Sequence, residues 1–149
     1  MTDIVIRPLE ADDQSDWRRL WTAYLKFYKA TVSEEVYATT WRRLFDAGEF
    51  EPKGFLALSG GKAVGLVHYL YHRSCWATTN NCYLQDLFAD PATRGAGVGS
   101  ALIAAVHDAA AKAGVANVYW MTHETNETAR RLYDRVAKRT GFIEYDMLP

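Results

Sequence analysis

The stretch from Cys82 to Ala113 constrains this chain more than any other part of it. Cys82-Tyr83-Leu84-Gln85-Asp86-Leu87-Phe88-Ala89 reads as a largely buried strand, and Asp90-Pro91 stops it because proline cannot donate to a ladder. The loop Arg94-Gly95-Ala96-Gly97-Val98-Gly99-Ser100 follows. Leu102, Ile103, Val106, Ala109, Ala110 and Ala113 then share one face of an alanine-rich helix that Gly114 can end in the left-handed conformation. A strand feeding a helix through such a loop leaves unpaired N–H groups at the helix N-terminus, with the positive end of the dipole outward, which makes an anion site. Glycines let a phosphate come close to the backbone and tolerate positive φ. The plain alternative is a turn that only connects two elements.

The flanking periodicities fill in the rest. Ile4-Val5-Ile6-Arg7-Pro8 predicts a short first strand. Asp12 can cap a helix carrying Trp17, Leu20, Trp21, Tyr24 and Phe27 or Tyr28 on one face. Ser33 starts a second helix, with Glu34 and Glu35 in its first turn and Val36, Tyr37, Thr40, Trp41, Leu44 and Phe45 as its stripe, ending near Gly48. Gly54 to Leu58 and Ala63 to Tyr71 then read as a hairpin around Ser59-Gly60-Gly61-Lys62. Val115 to His123 is a further strand. Asn126 can cap a last helix with Ala129, Leu132, Tyr133, Val136 and Ala137 inward, ended by Gly141, before a final strand over Phe142 to Tyr145. The order β-α-α-β-β-β-α-β-α-β predicts a mixed α/β (α+β) domain whose sheet combines an antiparallel hairpin with a parallel crossover.

At 149 residues, 49% hydrophobic and 23% charged, residues 1–149 suit one soluble domain with its own core. A net charge of -1 provides no field to gather nucleic acid or an anionic membrane, and no apolar stretch approaches the roughly 18 residues of a membrane helix. Two cysteines, Cys75 and Cys82, are too few for a disulfide framework, and Met1-Thr2-Asp3-Ile4 lacks a leader's basic and apolar regions. A reduced, cytoplasmic setting is expected.

Three phosphate-binding motifs compete for the loop. A Walker A loop needs Gly-Lys-Ser/Thr, whereas Gly99 is followed by Ser100. A dinucleotide fingerprint read from Gly95 fails at Ser100, and it would follow the first strand, not the fourth. A nucleotide-dependent oxidoreductase is therefore unsupported. Arg/Gln-x-x-Gly-x-Gly/Ala is satisfied by Arg94, Gly97 and Gly99, and it resembles motif A of the GNAT acetyltransferases. Tyr83 to Phe88, Val118-Tyr119-Trp120, Thr122 to Asn126 and Ala129 to Tyr133 further resemble the Hpa-type histone and polyamine acetyltransferases of yeast and, more distantly, spermidine/spermine acetyltransferase. His123-Glu124-Thr125-Asn126-Glu127 lacks the second histidine of a zincin helix, so no metal is expected.

The resemblance implies a GNAT fold with strands 4 and 5 splayed, acetyl-coenzyme A as co-substrate, and direct acetyl transfer to a primary amine in a ternary complex. It implies that the pantetheine arm lies along Leu87, Phe88 and Ala89 as a pseudo-strand, that Arg94 to Ser100 hold the pyrophosphate, and that Asn126 flanks the arm. Asn126 as a simple N-cap is compatible with that role. Tyr133 falls where the family carries its general acid, against the plain reading of a core tyrosine. A backbone N–H near Leu87 would hold the oxyanion. Asp86 and Gln85 would lie beside the thioester. Asp86 either helps deprotonate the amine or is structural, and Gln85 stands where polyamine-specific relatives have a second acid. Tyr24, Phe27 and Tyr28 would shape the acceptor pocket, or pack in the core. Arg130, Arg131, Arg135, Lys138 and Arg139 make the last helix basic, either toward coenzyme phosphates or as a solvated face.

The acceptor stays open among a small-molecule amine, a protein lysine and an N-terminal amine. A non-catalytic acetyl-coenzyme A sensor is the alternative, and Tyr133 with Asp86 argues against it. GNAT enzymes commonly end in two strands where this sequence has room for one, so strand sharing in a homodimer is expected.

Overall fold

Gly60 and Gly61 hold φ of 58° and 80°, and this turn sends the chain back from β2 (Lys53–Ser59) into β3 (Lys62–His72). With β1 (Ile4–Pro8), β4 (Asn81–Ala89) and β5 (Asn117–Tyr119) they form one sheet in the order β1-β2-β3-β4-β5. The first three pairings are antiparallel and β4 pairs β5 in parallel, which gives the mixed sheet expected. The computed structural model describes residues 3–149; the reading of Met1 and Thr2 as free of a leader lies outside them.

Two helical layers sandwich the sheet. On one face α1 (Gln14–Phe27) and α2 (Glu34–Arg43) bury Trp17, Leu20, Leu25 and Tyr37 against Leu56 and Leu66. On the other, α3 (Val98–Lys112) buries Leu102, Ile103, Val106 and Ala110 against Ala57, Val67, Cys82 and Leu84. Gly65 permits that approach, because a Cβ there would stand 2.6 Å from Val98 Cγ1. The last helix, α4 (Glu127–Val136), lays Leu132 and Tyr133 against the edge of this second core.

The caps follow the sequence with one exception. Val36 N donates to Ser33 Oγ at 3.3 Å, and Ala129 N to Asn126 Oδ1 at 3.4 Å. Asp12 does not cap α1: Ala11–Asp13 form a 3-10 turn, and Asp13 precedes the helix without a side-chain cap bond. Its carboxylate is engaged instead by Arg7, whose guanidinium donates at 2.7 and 2.9 Å, and by Glu10 N at 2.7 Å.

Element ends differ from expectation where tertiary pairing decides them. α2 stops at Arg43, short of Gly48, and Ala113 is an exposed C-cap. β5 shrinks to Asn117–Tyr119 because its partner strand diverges beyond that point. α4 ends at Val136 instead of reaching Gly141, which leaves Val136 and Ala137 exposed. The final strand over Phe142 to Tyr145 does not form within this chain: a strand needs a ladder partner, and these residues run exposed, Phe142 at 86% and Tyr145 at 88%.

Candidate active site

Along β4, Cys82 and Leu84 belong to the core under α3, yet so do Leu87 and Ala89, which strict alternation forbids. The ladder resolves the conflict. Tyr69 pairs with Leu84 and His68 with Asp86, so Gln85 is the extra residue of a β-bulge. The bulge moves Asp86 and Phe88 to the α1 side of the sheet and leaves Gln85 exposed. There Asp86 lies 3.0 Å from His68 Nδ1, and Trp17 Nε1 donates to His68 Nε2 at 2.9 Å. The carboxylate side chain is 13% exposed and the imidazole 4%.

Tyr24 of α1 faces this carboxylate, and Tyr28 and Tyr133 face Tyr24 in turn. Burial, and then the Asp86 carboxylate, push the Tyr24 phenol well above its ordinary value. Tyr24 stacks on Trp21 at 5.0 Å and leans on Tyr28 at 5.1 Å. From α4, Tyr133 sets its ring edge-to-face on Trp120 at 5.5 Å. Burial chiefly, with Tyr28 adding, pushes its phenol up to about 12. Asp86, Tyr24, Tyr28 and Tyr133 are thus brought together from β4, α1 and α4. Phe27 turns outward, 61% exposed, with its ring edge against Tyr28 at 5.0 Å.

Beside this cluster the sheet opens. β4 and β5 pair only from Asn81 and Asn117 to Tyr83 and Tyr119, so the edge of β4 from Leu84 to Ala89 has no partner on that side. The two tyrosine rings stack at 5.1 Å where the strands part, and Tyr119 OH is held at 2.8 Å from His72 Nε2. The splay expected between strands 4 and 5 is present, with Leu87, Phe88 and Ala89 along it. Asn126 stands at the N-terminus of α4, its Nδ2 donating to Thr122 Oγ1 at 3.4 Å.

The glycine loop lies past the end of β4. Gly97 is the N-cap of α3 with φ 80°, and Gly95 has φ 88°, both in the left-handed region where other residues are strained. Arg94 N, Ala96 N and Ala101 N donate to Pro91, Thr93 and Gly97 carbonyls at 3.2, 3.0 and 3.0 Å. Val98, Gly99 and Ser100 therefore keep their amides for an outside acceptor. A Cβ on Gly95 or Gly97 would meet nothing within 4 Å, so the space before these amides is open. Gly99 has a different task, since a Cβ there would come 3.0 Å from Leu132 Cδ2 on α4. Arg94 is exposed. Free amides, a helix N-terminus and open space fit a pyrophosphate.

Two parts of the site went unread in the sequence. One is the pair His68 and Trp17, whose only local signal is a polar residue inside the apolar run from Ala63 to Tyr71. The other is an open cleft of about 590 Å3 lined by Phe27, Tyr28, Lys29, His123, Thr125 and Asn126. Lys29 in its wall holds φ 55°, the single left-handed residue other than glycine among the described residues. Among those residues no group of three or more His, Cys, Asp or Glu is placed to hold a metal, and no helix is long and apolar enough to cross a membrane.

Comparison with known proteins agrees with this geometry. The chain is 35% identical over 144 residues to the D-amino-acid N-acetyltransferase HPA3 of Saccharomyces cerevisiae, covering 95% of this chain and 89% of the relative. Its fold matches the aminoglycoside N-acetyltransferase AAC(6')-Iy in complex with coenzyme A, with a TM-score of 0.84 at 17% identity over 99% of this chain and 96% of that one. It also matches the ribosomal-protein-alanine N-acetyltransferase of Brucella melitensis biovar Abortus 2308, with a TM-score of 0.79 at 19% identity over 98% and 99%. Residues 17–137 match the acetyltransferase (GNAT) family, and the chain belongs to it.

Proposed function

We propose that residues 1–149 form one acetyltransferase domain that moves the acetyl group of acetyl-coenzyme A to a primary amine by direct attack in a ternary complex. The observation that supports this reading is the parting of β4 and β5 beyond Tyr83 and Tyr119, with Asp86 on β4 and Tyr133 packed on Trp120, the residue that follows β5. Pantetheine would run along the free edge at Leu87 and Ala89, gaining affinity from backbone bonds as an added strand does. The pyrophosphate would rest on the amides from Val98 to Ser100, with Arg94 beside it.

Each remaining step has a residue of this chain to perform it. Asp86 would accept a proton from the incoming ammonium, directly or through water, and the freed lone pair would attack the thioester carbon. A backbone N–H near Leu87 would stabilise the oxyanion. As the tetrahedral intermediate collapses, the nitrogen would give its second proton to water, and the departing thiolate would be protonated by the Tyr133 phenol, which solvent would then reprotonate. Burial pushes that phenol up to about 12, so it is protonated at neutral pH when the thiolate leaves.

The acceptor we favour is the α-amine of an amino acid, because the relative at 35% identity is named for D-amino-acid acetylation. Gln85, where polyamine-specific relatives carry a second acid, supports a smaller, singly charged acceptor over a polyamine. Tyr24, Tyr28 and Phe27 would form its wall. The exposed apolar side chains of Phe142, Ile143, Tyr145, Met147 and Leu148 support a homodimer in which this segment finds its ladder on a second copy. A cytoplasmic setting is consistent with two free cysteines.

Release of free thiol with a panel of D- and L-amino acids and polyamines tests the reading. Turnover with D-amino acids, lost in Asp86→Asn while acetyl-coenzyme A still binds, is the expected result. Cofactor binding without turnover on any amine would instead favour a sensor. A monomer by light scattering at micromolar concentration would remove the dimer.

A further inference from the structure

Asp86 does not stand alone; it is backed by a ring whose protonation state its neighbours dictate. An indole N–H can only donate, so the His68 Nε2 that lies 2.9 Å from Trp17 Nε1 must be a bare acceptor. The ring's one proton then sits on Nδ1 and is directed at the Asp86 carboxylate, 3.0 Å away. Protonating His68 would set an N–H donor against the indole N–H, in a place where the histidine is 3% exposed and the tryptophan 1%. Histidine beside a carboxylate ordinarily tends toward an ion pair in which the two charges cancel. Here that outcome is blocked, while the hydrogen bond that orients the carboxylate is kept.

The other titratable groups facing Asp86 are Tyr24 from α1 and Tyr83 from its own strand, and Tyr24 in turn faces Tyr28 and Tyr133. All are phenols and bring no positive charge. Among the described residues, no lysine or arginine forms an ion pair with Asp86.

We propose that His68, locked by Trp17 as the neutral Nδ1-protonated tautomer, is a positioning residue that fixes the Asp86 carboxylate toward the acceptor without cancelling its charge, so that the site takes amines arriving as ammonium ions. The inference rests on the reading of Asp86 as the group that meets the acceptor. In the step it serves, the ammonium gives one proton to Asp86 and its lone pair forms the bond to the acetyl carbon. The thiolate leaves with the Tyr133 proton, the nitrogen gives its second proton to water as the amide forms, and afterwards Asp86 returns its proton to solvent while the Tyr133 phenolate regains one, for a net release of one proton. His68 neither gives nor takes a proton, because its far nitrogen ends on an indole and leads nowhere.

Two substitutions separate this role from that of a staple between α1 and the sheet. In His68→Asn the amide nitrogen falls near the place of Nδ1, which keeps the donor to Asp86 and strands Trp17. In His68→Gln the carbonyl reaches the place of Nε2, which keeps the partner of Trp17 and strands Asp86. We expect the Gln variant of the full chain to melt higher yet lose about 10- to 100-fold in kcat/KM, as when a supporting hydrogen bond behind a functional group is removed. The Asn variant should recover most of that loss despite melting lower, with the acetyl-coenzyme A Kd unchanged in both. Nitrogen NMR of the parent should show His68 with a protonated Nδ1 and a bare Nε2.

Activity that tracks melting temperature across the Asn and Gln pair would overturn the proposal, as would an imidazolium or an Nε2-protonated ring in the parent. Asp86→Asn with parental kcat and KM would overturn the reading of Asp86 and this inference with it. An inactive Asp86→Asn beside a fully active His68→Gln would overturn the role of His68 alone.

Discussion

The two halves of the site, the glycine loop and the Asp86 cluster, are built on opposite principles. The loop from Arg94 to Ser100 offers backbone: amides of Val98, Gly99 and Ser100 with no partner of their own, at the dipole-positive end of α3. The cluster offers side chains held by other side chains, with Trp17 on His68 and His68 on Asp86, the first two nearly out of reach of water. Backbone recognition suits a donor whose phosphates are the same in every cycle. A side-chain network can be retuned for an acceptor, and it depends on register across three elements. The loop should therefore fail by losing binding, and the cluster by losing rate.

The largest effect expected is at Gly97. Its φ of 80° strains any other residue, and a valine side chain would project into the open space before the amides. Gly97→Val should remove measurable acetyl-coenzyme A binding by calorimetry while circular dichroism stays native. Ordinary affinity would sink the cradle and the comparison with it. Next comes Tyr133→Phe, which should lower kcat by about 10²-fold, within the range for loss of a general acid, and leave the cofactor Kd nearly intact. Because the phenol is pushed up to about 12, it stays protonated through neutral and mildly alkaline pH, so the pH profile of kcat should keep its shape as its height drops. A changed Kd with unchanged kcat would assign Tyr133 to binding instead.

Smaller effects test the frame on which both halves depend. Hydrogen bonds from Arg7 hold the Asp13 carboxyl below the usual carboxylate range, against the opposing effect of burial. A depressed folded value means this contribution is present above the ordinary carboxyl pKa, about 3.9, and is lost as pH falls through the lowered one. Asp13→Asn should cost about 1–3 kcal/mol at neutral pH, since Arg7 is partly exposed, and should flatten the acid side of the stability curve without moving kcat. Urea titration at several pH values reads both. Gly99→Ala should cost least, on the order of 1 kcal/mol, because Leu132 must give way by a few tenths of an ångström. A loss of cofactor affinity there larger than the loss of stability would return Gly99 to the cradle.

What could be read in advance follows the same division. Local patterns carried the helices, the Gly60-Gly61 hairpin, the caps at Ser33 and Asn126, and the phosphate loop, because each is decided by residues within a turn or two of one another. Tyr133 and Asp86 were reachable only through family resemblance, since an apolar stripe and a buried strand explain their spacing equally well. Asp12 misled because the carboxylate two turns from the strand end, Asp13, was claimed by Arg7 instead of by the helix.

The sequence by itself determined where the four helices and the first four strands lie, and that one loop presents bare amides to an anion. Glycine spacing and hydrophobic period act over a few residues, and no distant partner can rewrite them. Only the tertiary structure decided which way Asp86 points. One extra residue at Gln85, visible only against the register of β3, carries that carboxylate from the face of Leu84 to the face of His68 and Trp17. It likewise decided that β5 stops at Tyr119 and that Phe142 to Tyr145 form no strand within one chain, because strand pairing is a contract between distant segments.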